Sequence, residues 1–308
     1  MYGKTIVLAI VFLGLAAMGC TGAAQPQANS SKLQAVTSFR PFTLLVGPVA
    51  GSDAQITQLL PPGADPHDYE PTPADVTALH SAAILFYDGP FLEPWASSLA
   101  DSAGNPGLKV VSFTDAVPAS DFARMAAEYR DFPNTSQDPH LWLSPKLAGY
   151  FVPYAAQQLS EADPAHAQDY GANARAFEAR LQALDSDYAK GLAACRTRTV
   201  LTSHAFLDYV AADYNFTAIS IAGLSPDAEP SIRQMDAILN ESKAAGVMGV
   251  LAEPDESLQL SQSVSSELGL PLYQFDTMEI LRQGGNGSDY IAIQENNLQE
   301  LRLAMGCG

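Results

Sequence analysis

Three of the five histidines stand where the chain turns, outside any regular periodic pattern. The segment DPHDYEPTPAD starts at Asp65 and DPHLWLSP starts at Asp138, so His67 and His140 each follow an Asp-Pro pair. His204 ends TVLTSH, where a strand-like run meets a helix-like one. Neutral imidazole is the commonest protein ligand for metals of the zinc class. Proline fixes φ and carries no N–H, so it stiffens the backbone just before the histidine. A metal site needs its ligands held before the ion arrives. The pattern predicts a metal site assembled from distant parts of the fold. His80 in VTALHSA and His166 in DPAHAQDY lie in helix-like runs and are read as ordinary surface or core residues.

A fourth ligand is expected from the second half of the chain. Asp276, which ends PLYQFD, is the candidate; Glu253, Asp255 and Glu229 compete with it. The separations between His67, His140, His204 and Asp276 are 73, 64 and 72 residues. That spacing rules out a small structural zinc loop and suits a site between lobes. Neither CxxC nor zinc-finger spacing occurs among the three cysteines.

The elements that must position these residues alternate. Strand-like runs are 33–39, 54–60, 82–89 and 108–113, then 199–204, 217–223, 247–253 and 271–276. Helix-like runs lie between them, including 41–51, 73–82, 91–104, 205–213, 230–244, 257–268 and 288–304. Alternation predicts an α/β fold with mostly parallel sheets. Between the two series, Tyr170, Phe177, Leu181, Leu184, Tyr188 and Leu192 make one apolar stripe on a helix running from Pro164 to Ala194. Thirty-one residues of helix would reach about 46 Å, enough to cross from one lobe to another. The expected architecture is two α/β lobes, each with a mostly parallel sheet flanked by helices, joined by one long rigid helix. Ligands of such sheets bind beyond the carboxyl ends of the strands, which puts the metal site in the cleft between lobes.

The N-terminus has the form of a targeting segment. Lys4 precedes an apolar run from Thr5 to Ala17, too short to span a bilayer. It ends in Ala17-Met18-Gly19-Cys20, which resembles a lipoprotein signal with Cys20 as the lipid-bearing first mature residue. The following residues are small and polar and suit a flexible tether. Removing residues 1–19 takes out Lys4 and no acid, so 15 basic and 34 acidic residues remain and the formal charge moves from −18 to −19. Binding to nucleic acid through such a surface is not expected. Export places Cys195 and Cys307 in an oxidising compartment, where they are either buried free thiols or a disulfide, with the disulfide preferred.

The motifs taken together resemble the zinc and manganese receptors of ABC importers, the metal-binding solute-binding lipoproteins. PPGADPHDYEPTPADV (61–76), YDGPFLEPW (87–95), DPHLWLSP (138–145), DPAHAQDYGANARAF (163–177), LTSHAFLDY (201–209), AGLSPDAEPS (222–231) and YIAIQENNLQELRLAM (290–305) carry the likeness over nearly the whole mature chain. The resemblance implies two α/β lobes joined by one long helix. Its metal ligands carry over to His67, His140, His204 and Asp276. It implies a monomeric receptor, not an enzyme, anchored through Cys20 at the outer face of the cell membrane and delivering its ion to an ABC-type permease. Three imidazoles and one carboxylate favour Zn2+, with Mn2+ as the alternative.

Two features depart from the family pattern. Residues 115–137 contain no histidine, so metal capture by a histidine-rich loop is not expected. An aromatic that usually stands three residues after the third ligand is here Phe206, two residues after it. The expected organisation is a signal peptide at 1–19, a tether at 20–32, a first lobe at 33–162, a linker helix at 163–194 and a second lobe at 195–308. Two readings from other classes compete. A zinc hydrolase would need an open coordination position, and no HExxH motif is present. A surface adhesin would use the metal structurally and unfold without it.

Overall fold

Two parallel four-stranded sheets organise the chain in a computed structural model that describes residues 32–122, 138–226, 230–254, 258–281 and 289–308. The first sheet contains β1 (Leu33–Thr37), β2 (Ala54–Gln58), β3 (Ile84–Tyr87) and β4 (Lys109–Ser112) in the order β2-β1-β3-β4. The second contains β5 (Thr199–Thr202), β6 (Thr217–Ser220), β7 (Val250–Ala252) and β8 (Leu272–Gln274) in the order β6-β5-β7-β8. Each order reverses after its first strand, so the two sheets repeat one topology. The register sets Val36 beside Leu85 in the first sheet and Leu201 beside Val250 in the second. Central strands of parallel sheets are covered on both faces and need continuous apolar runs. Ile84-Leu85-Phe86-Tyr87 and Val250-Leu251-Ala252 are buried at every position. All eight strand-like runs read from the sequence contain a strand.

Helices α1 (Arg40–Ala50), α2 (Pro73–His80), α3 (Ala96–Ser102) and α4 (Pro145–Ala162) belong to the first lobe. In α1, Phe42, Leu45, Val46 and Val49 are buried at helical spacing, which turns one stripe onto the sheet. A capping box of Thr72 and Asp75 starts α2, and Ser144 accepts the Leu147 N–H to start α4. The long helix, α5 (Ala167–Gly191), follows a 3-10 turn at Pro164–His166. It is shorter than the expected 164–194 because Asp163 and His166 leave helical geometry at one end and Leu192 at the other. Its 25 residues span about 37 Å. Tyr170, Ala174, Phe177, Leu181, Leu184 and Tyr188 form its buried stripe. The second lobe adds α6 (Asp208–Tyr214), α7 (Ile232–Ala244), α8 (Gln259–Leu268) and α9 (Tyr290–Met305). Helix α5 touches α1 and α4 on one side and α9 on the other, so it bridges the lobes.

One apolar core runs through both lobes. It joins Phe39, Phe42, Trp142 and Phe151 to Phe206, Phe275 and Tyr290 without a break. Residues 32–308 accordingly form one compact unit. A sulfur–sulfur bond joins Cys195, just before β5, to Cys307, just after α9. Among the described residues no helix is long and apolar enough to cross a membrane. Cys20, the signal segment and most of the tether lie outside the described residues, as does 123–137 of the histidine-free stretch.

Candidate metal centre

The two DPH segments fold the same way. The Asp65 carboxylate accepts the His67 backbone N–H at 2.8 Å, and the Asp138 carboxylate accepts that of His140 at 2.9 Å. Each is an Asx turn, and the intervening proline offers no competing N–H. His140 then opens a 3-10 turn at Leu141–Leu143, and Asp138 adds a contact of 2.7 Å to the ring Nδ1. His204 stands two residues beyond β5, on the side of the second sheet where its strand order reverses. The Thr202 hydroxyl donates to the His204 carbonyl at 2.7 Å, and the Glu253 carboxylate lies 2.6 Å from its Nδ1. Glu253 in turn accepts the Thr277 hydroxyl at 2.5 Å. Phe206 sits edge-on to His204 with ring centres 5.0 Å apart.

These turns bring three rings and one carboxylate to a point. One donor atom from each of His67, His140, His204 and Glu279 lies within 4.8 Å of all the others. The His140 and His204 Nε2 atoms are 3.3 Å apart, and Glu279 Oε1 is 3.0 Å from His140 Nε2. Tetrahedral ligands at the usual zinc bond lengths of about 2.0–2.1 Å stand about 3.3 Å from one another. His67 Nε2 is buried without a hydrogen-bond partner and lies 3.7 Å from Glu279 Oε2. Two imidazole nitrogens face to face beside a buried carboxylate and an orphaned third nitrogen are what a cation between them would satisfy.

The electrostatics of the cluster favour a cation. Burial works against charge on Glu279, but the hydrogen bond and charge of His140, with His204 and His67 beyond it, hold its pKa down at about 2. Burial lowers the pKa of His67, and Glu279 only partly offsets this. Burial would also lower His140, yet its contacts with Asp138 and then Glu279 raise it well above the ordinary value. A further carboxyl behind the site, Asp208, is pushed up to about 7 by burial and by the charge of Asp138.

The expected fourth residue is corrected by this geometry. Asp276 does not join the cluster; Glu279 does. The Asp276 carboxylate pairs with the Arg40 guanidinium at 3.1 Å and accepts the Met278 N–H at 2.7 Å, and its side chain is 24% exposed against 2% for Glu279. The chain turns after β8, with Met278 at φ +65°, and that turn carries the carboxylate three residues further on to the site. Of the competing acids, Glu253 supports His204 from behind, and Asp255 and Glu229 lie outside the described residues. His80 and His166 are elsewhere: the first contacts the Ala103 carbonyl and the second the Asp163 carboxylate.

The family model described as "ZnuA: Zinc-uptake complex component A periplasmic" matches residues 35–304. The chain belongs to this family. It is 29% identical over 301 residues to the zinc-binding lipoprotein AdcA of Streptococcus pneumoniae, covering 96% of this chain and 60% of AdcA. It is 28% identical over 303 residues to the high-affinity zinc uptake system protein ZnuA of Bacillus subtilis, covering 96% and 95% of the two chains. Against the Zn(II)-bound ZnuA-like domain of S. pneumoniae AdcA it superposes with a TM-score of 0.75 at 30% identity, over 89% of this chain and 99% of that one. The chain therefore spans about 60% of the length of the streptococcal AdcA it matches.

Proposed function

We propose that this chain is an extracytoplasmic receptor that binds Zn2+ through His67, His140, His204 and Glu279 and delivers it to an ABC-type permease. The observation that carries the proposal is the convergence of those four donors within 4.8 Å, three of them fully buried. Relatives of the family named as zinc-binding and zinc-uptake proteins support the choice of ion. So does the ligand set: three imidazoles and one carboxylate suit four-coordinate zinc better than manganese, which prefers more oxygen donors. Four protein donors leave no position for a substrate, which argues for carriage over hydrolysis. The receptor acts as a monomer tethered to the membrane by lipid on Cys20, with a signal peptide at 1–19, a tether at 20–32, lobes at 33–162 and 195–308 and a linker at 163–194.

The test is metal analysis of the purified mature chain followed by competition between zinc and manganese. One zinc per chain, held against excess manganese, is expected. Glu279→Gln and alanine at any of the three histidines should each weaken zinc binding strongly. Wild-type affinity in His140→Ala, or preference for manganese, would sink the proposal.

A further inference from the structure

The turn that carries Glu279 belongs to the second lobe but is held by the first. Arg40, the first residue of α1, donates from Nη1 to both oxygens of Asp276 at 3.1 and 3.3 Å and from Nη2 to Oδ2 at 3.3 Å. The same Nη1 reaches the Ile280 carbonyl at 3.3 Å. The guanidinium therefore grips the turn on both sides of Glu279. Two more bonds cross between lobes here. The Trp142 indole N–H donates to the Thr277 carbonyl at 2.7 Å, and the Gly63 N–H to the Leu281 carbonyl at 3.0 Å.

Local propensity does not explain this arginine. A cation at a helix N-terminus faces the positive end of the dipole, and α1 has no acid in its first turn to offset it. The turn itself is strained. Met278 is one of two non-glycine residues at positive φ among the described residues. Such a conformation persists where neighbours over-determine it. The Asp276 side chain fixes it from within, and Arg40 fixes Asp276 from the other lobe.

We infer that Arg40 is a positioning residue, an interlobe latch that holds the Glu279 turn over the bound ion and sets the rate at which the ion leaves. The inference rests on the zinc-receptor reading above. The latch lies at the edge of the site, with side chains 13% and 24% exposed, whereas three of the ligands are buried. A permease that competed for Arg40 or Asp276 would loosen Glu279 without touching the metal. Arg is suited to the task because its planar fork engages a carboxylate and a carbonyl at once, which lysine does not.

The experiment is stopped-flow release of zinc to a chelator from wild type, Arg40→Gln, Asp276→Asn and the double variant, with the visible spectrum of each Co2+-loaded protein. Arg40→Gln should speed release by about tenfold or more, with association changed by less than about twofold. Asp276→Asn should act in the same direction, since its amide still accepts the Met278 N–H but no longer attracts the guanidinium. The double variant should release no faster than the faster single one. All four cobalt spectra should coincide, because the ligand set is intact. If Arg40→Gln does not fold, the release rate of Asp276→Asn decides. Release at the wild-type rate in the variants overturns the latch. An Asp276→Asn variant with an altered cobalt spectrum beside a silent Arg40→Gln also overturns it and makes Asp276 a direct ligand. A wild-type chain that binds no zinc removes the receptor reading and the latch with it, whereas a wild type that binds and an unaffected Arg40→Gln remove the latch alone.

Discussion

One oxygen of Asp138 holds His140 twice, accepting its backbone N–H at 2.9 Å and lying 2.7 Å from its ring Nδ1. The first contact shapes the turn. The second fixes which ring nitrogen faces the metal site, because a proton held on Nδ1 leaves Nε2 as the donor. Asp65 makes only the backbone contact with His67. The repeated DPH motif thus does two jobs at one site and one at the other.

Asp138→Asn should therefore cost more than Asp65→Asn. Loss of a carboxylate behind a ligating histidine typically weakens metal binding by about 10–100-fold. Asp138→Asn should fall in that range, and Asp65→Asn should stay well above it in affinity. Competition titration against a zinc chelator measures both. Equal effects would mean that the ring contact contributes nothing beyond the turn.

The fold was largely legible in the sequence because parallel strands covered on both faces cannot hide. Runs such as Ile84–Tyr87 and Val250–Ala252 stand out as unbroken apolar segments. The three histidines were legible because proline or a strand end marks each one. Glu279 was not, since it ends no strand and lies inside the run DTMEIL. A signal was nevertheless present. An Asp at a strand end often folds its side chain back onto the backbone two residues on, as Asp276 does to Met278. A carboxylate so occupied is a poor choice of ligand, and the next acid beyond the turn is the better one. The role of Arg40 was beyond reach, because its partners are 236 and 240 residues away.

The Cys195–Cys307 bridge closes a loop of 112 residues. It ties the lead into β5 to the end of α9, where the Arg196 and Thr197 N–H groups also meet the Gly306 and Met305 carbonyls. In the chain-entropy model a loop of this size is stabilised by about 4–5 kcal/mol. Replacing both cysteines with serine should lower the unfolding free energy measured by urea titration by an amount near that figure. Zinc affinity should be nearly unchanged, because neither cysteine is among the clustered donors. Thiol titration of the unfolded, unreduced chain should find no free thiol from Cys195 or Cys307.

His166 is a clean reporter of local charge. Its Nδ1 lies 2.6 Å from the Asp163 carboxylate, which also accepts the Tyr170 hydroxyl. The hydrogen bond to Asp163 raises the pKa of His166 above its ordinary value, against the opposing effect of burial. A raised folded pKa stabilises the fold below the unfolded value of about 6.5, and that contribution is lost as pH rises through the folded one. The pair is reached by solvent, His166 being 31% exposed and Asp163 17%, so the effect on stability is small. NMR titration of the imidazole should show the raised pKa, and Asp163→Asn should return it towards about 6.5. An ordinary pKa in the wild type would show that the pair does not form in solution.

Zinc binding near neutral pH should release a proton, and the source should be His140. Asp138 and Glu279 outweigh burial and keep this ring protonated well above the ordinary histidine range, whereas burial keeps His67 neutral. Zinc needs the neutral ring, so the ion must displace the proton that binds His140 to Glu279. About one proton per zinc should leave at pH 7. The number should fall towards zero at pH above the pKa of His140. Glu279 adds nothing in this window, because its carboxyl titrates at about 2. Calorimetry in buffers of different ionisation enthalpy counts the protons directly. Glu279→Gln removes one of the two anions that hold the proton and should shift the release to lower pH. A wild-type chain that takes up zinc at pH 7 with no proton released would show that His140 is neutral before the metal arrives, and that the Asp138 contact orients the ring without charging it.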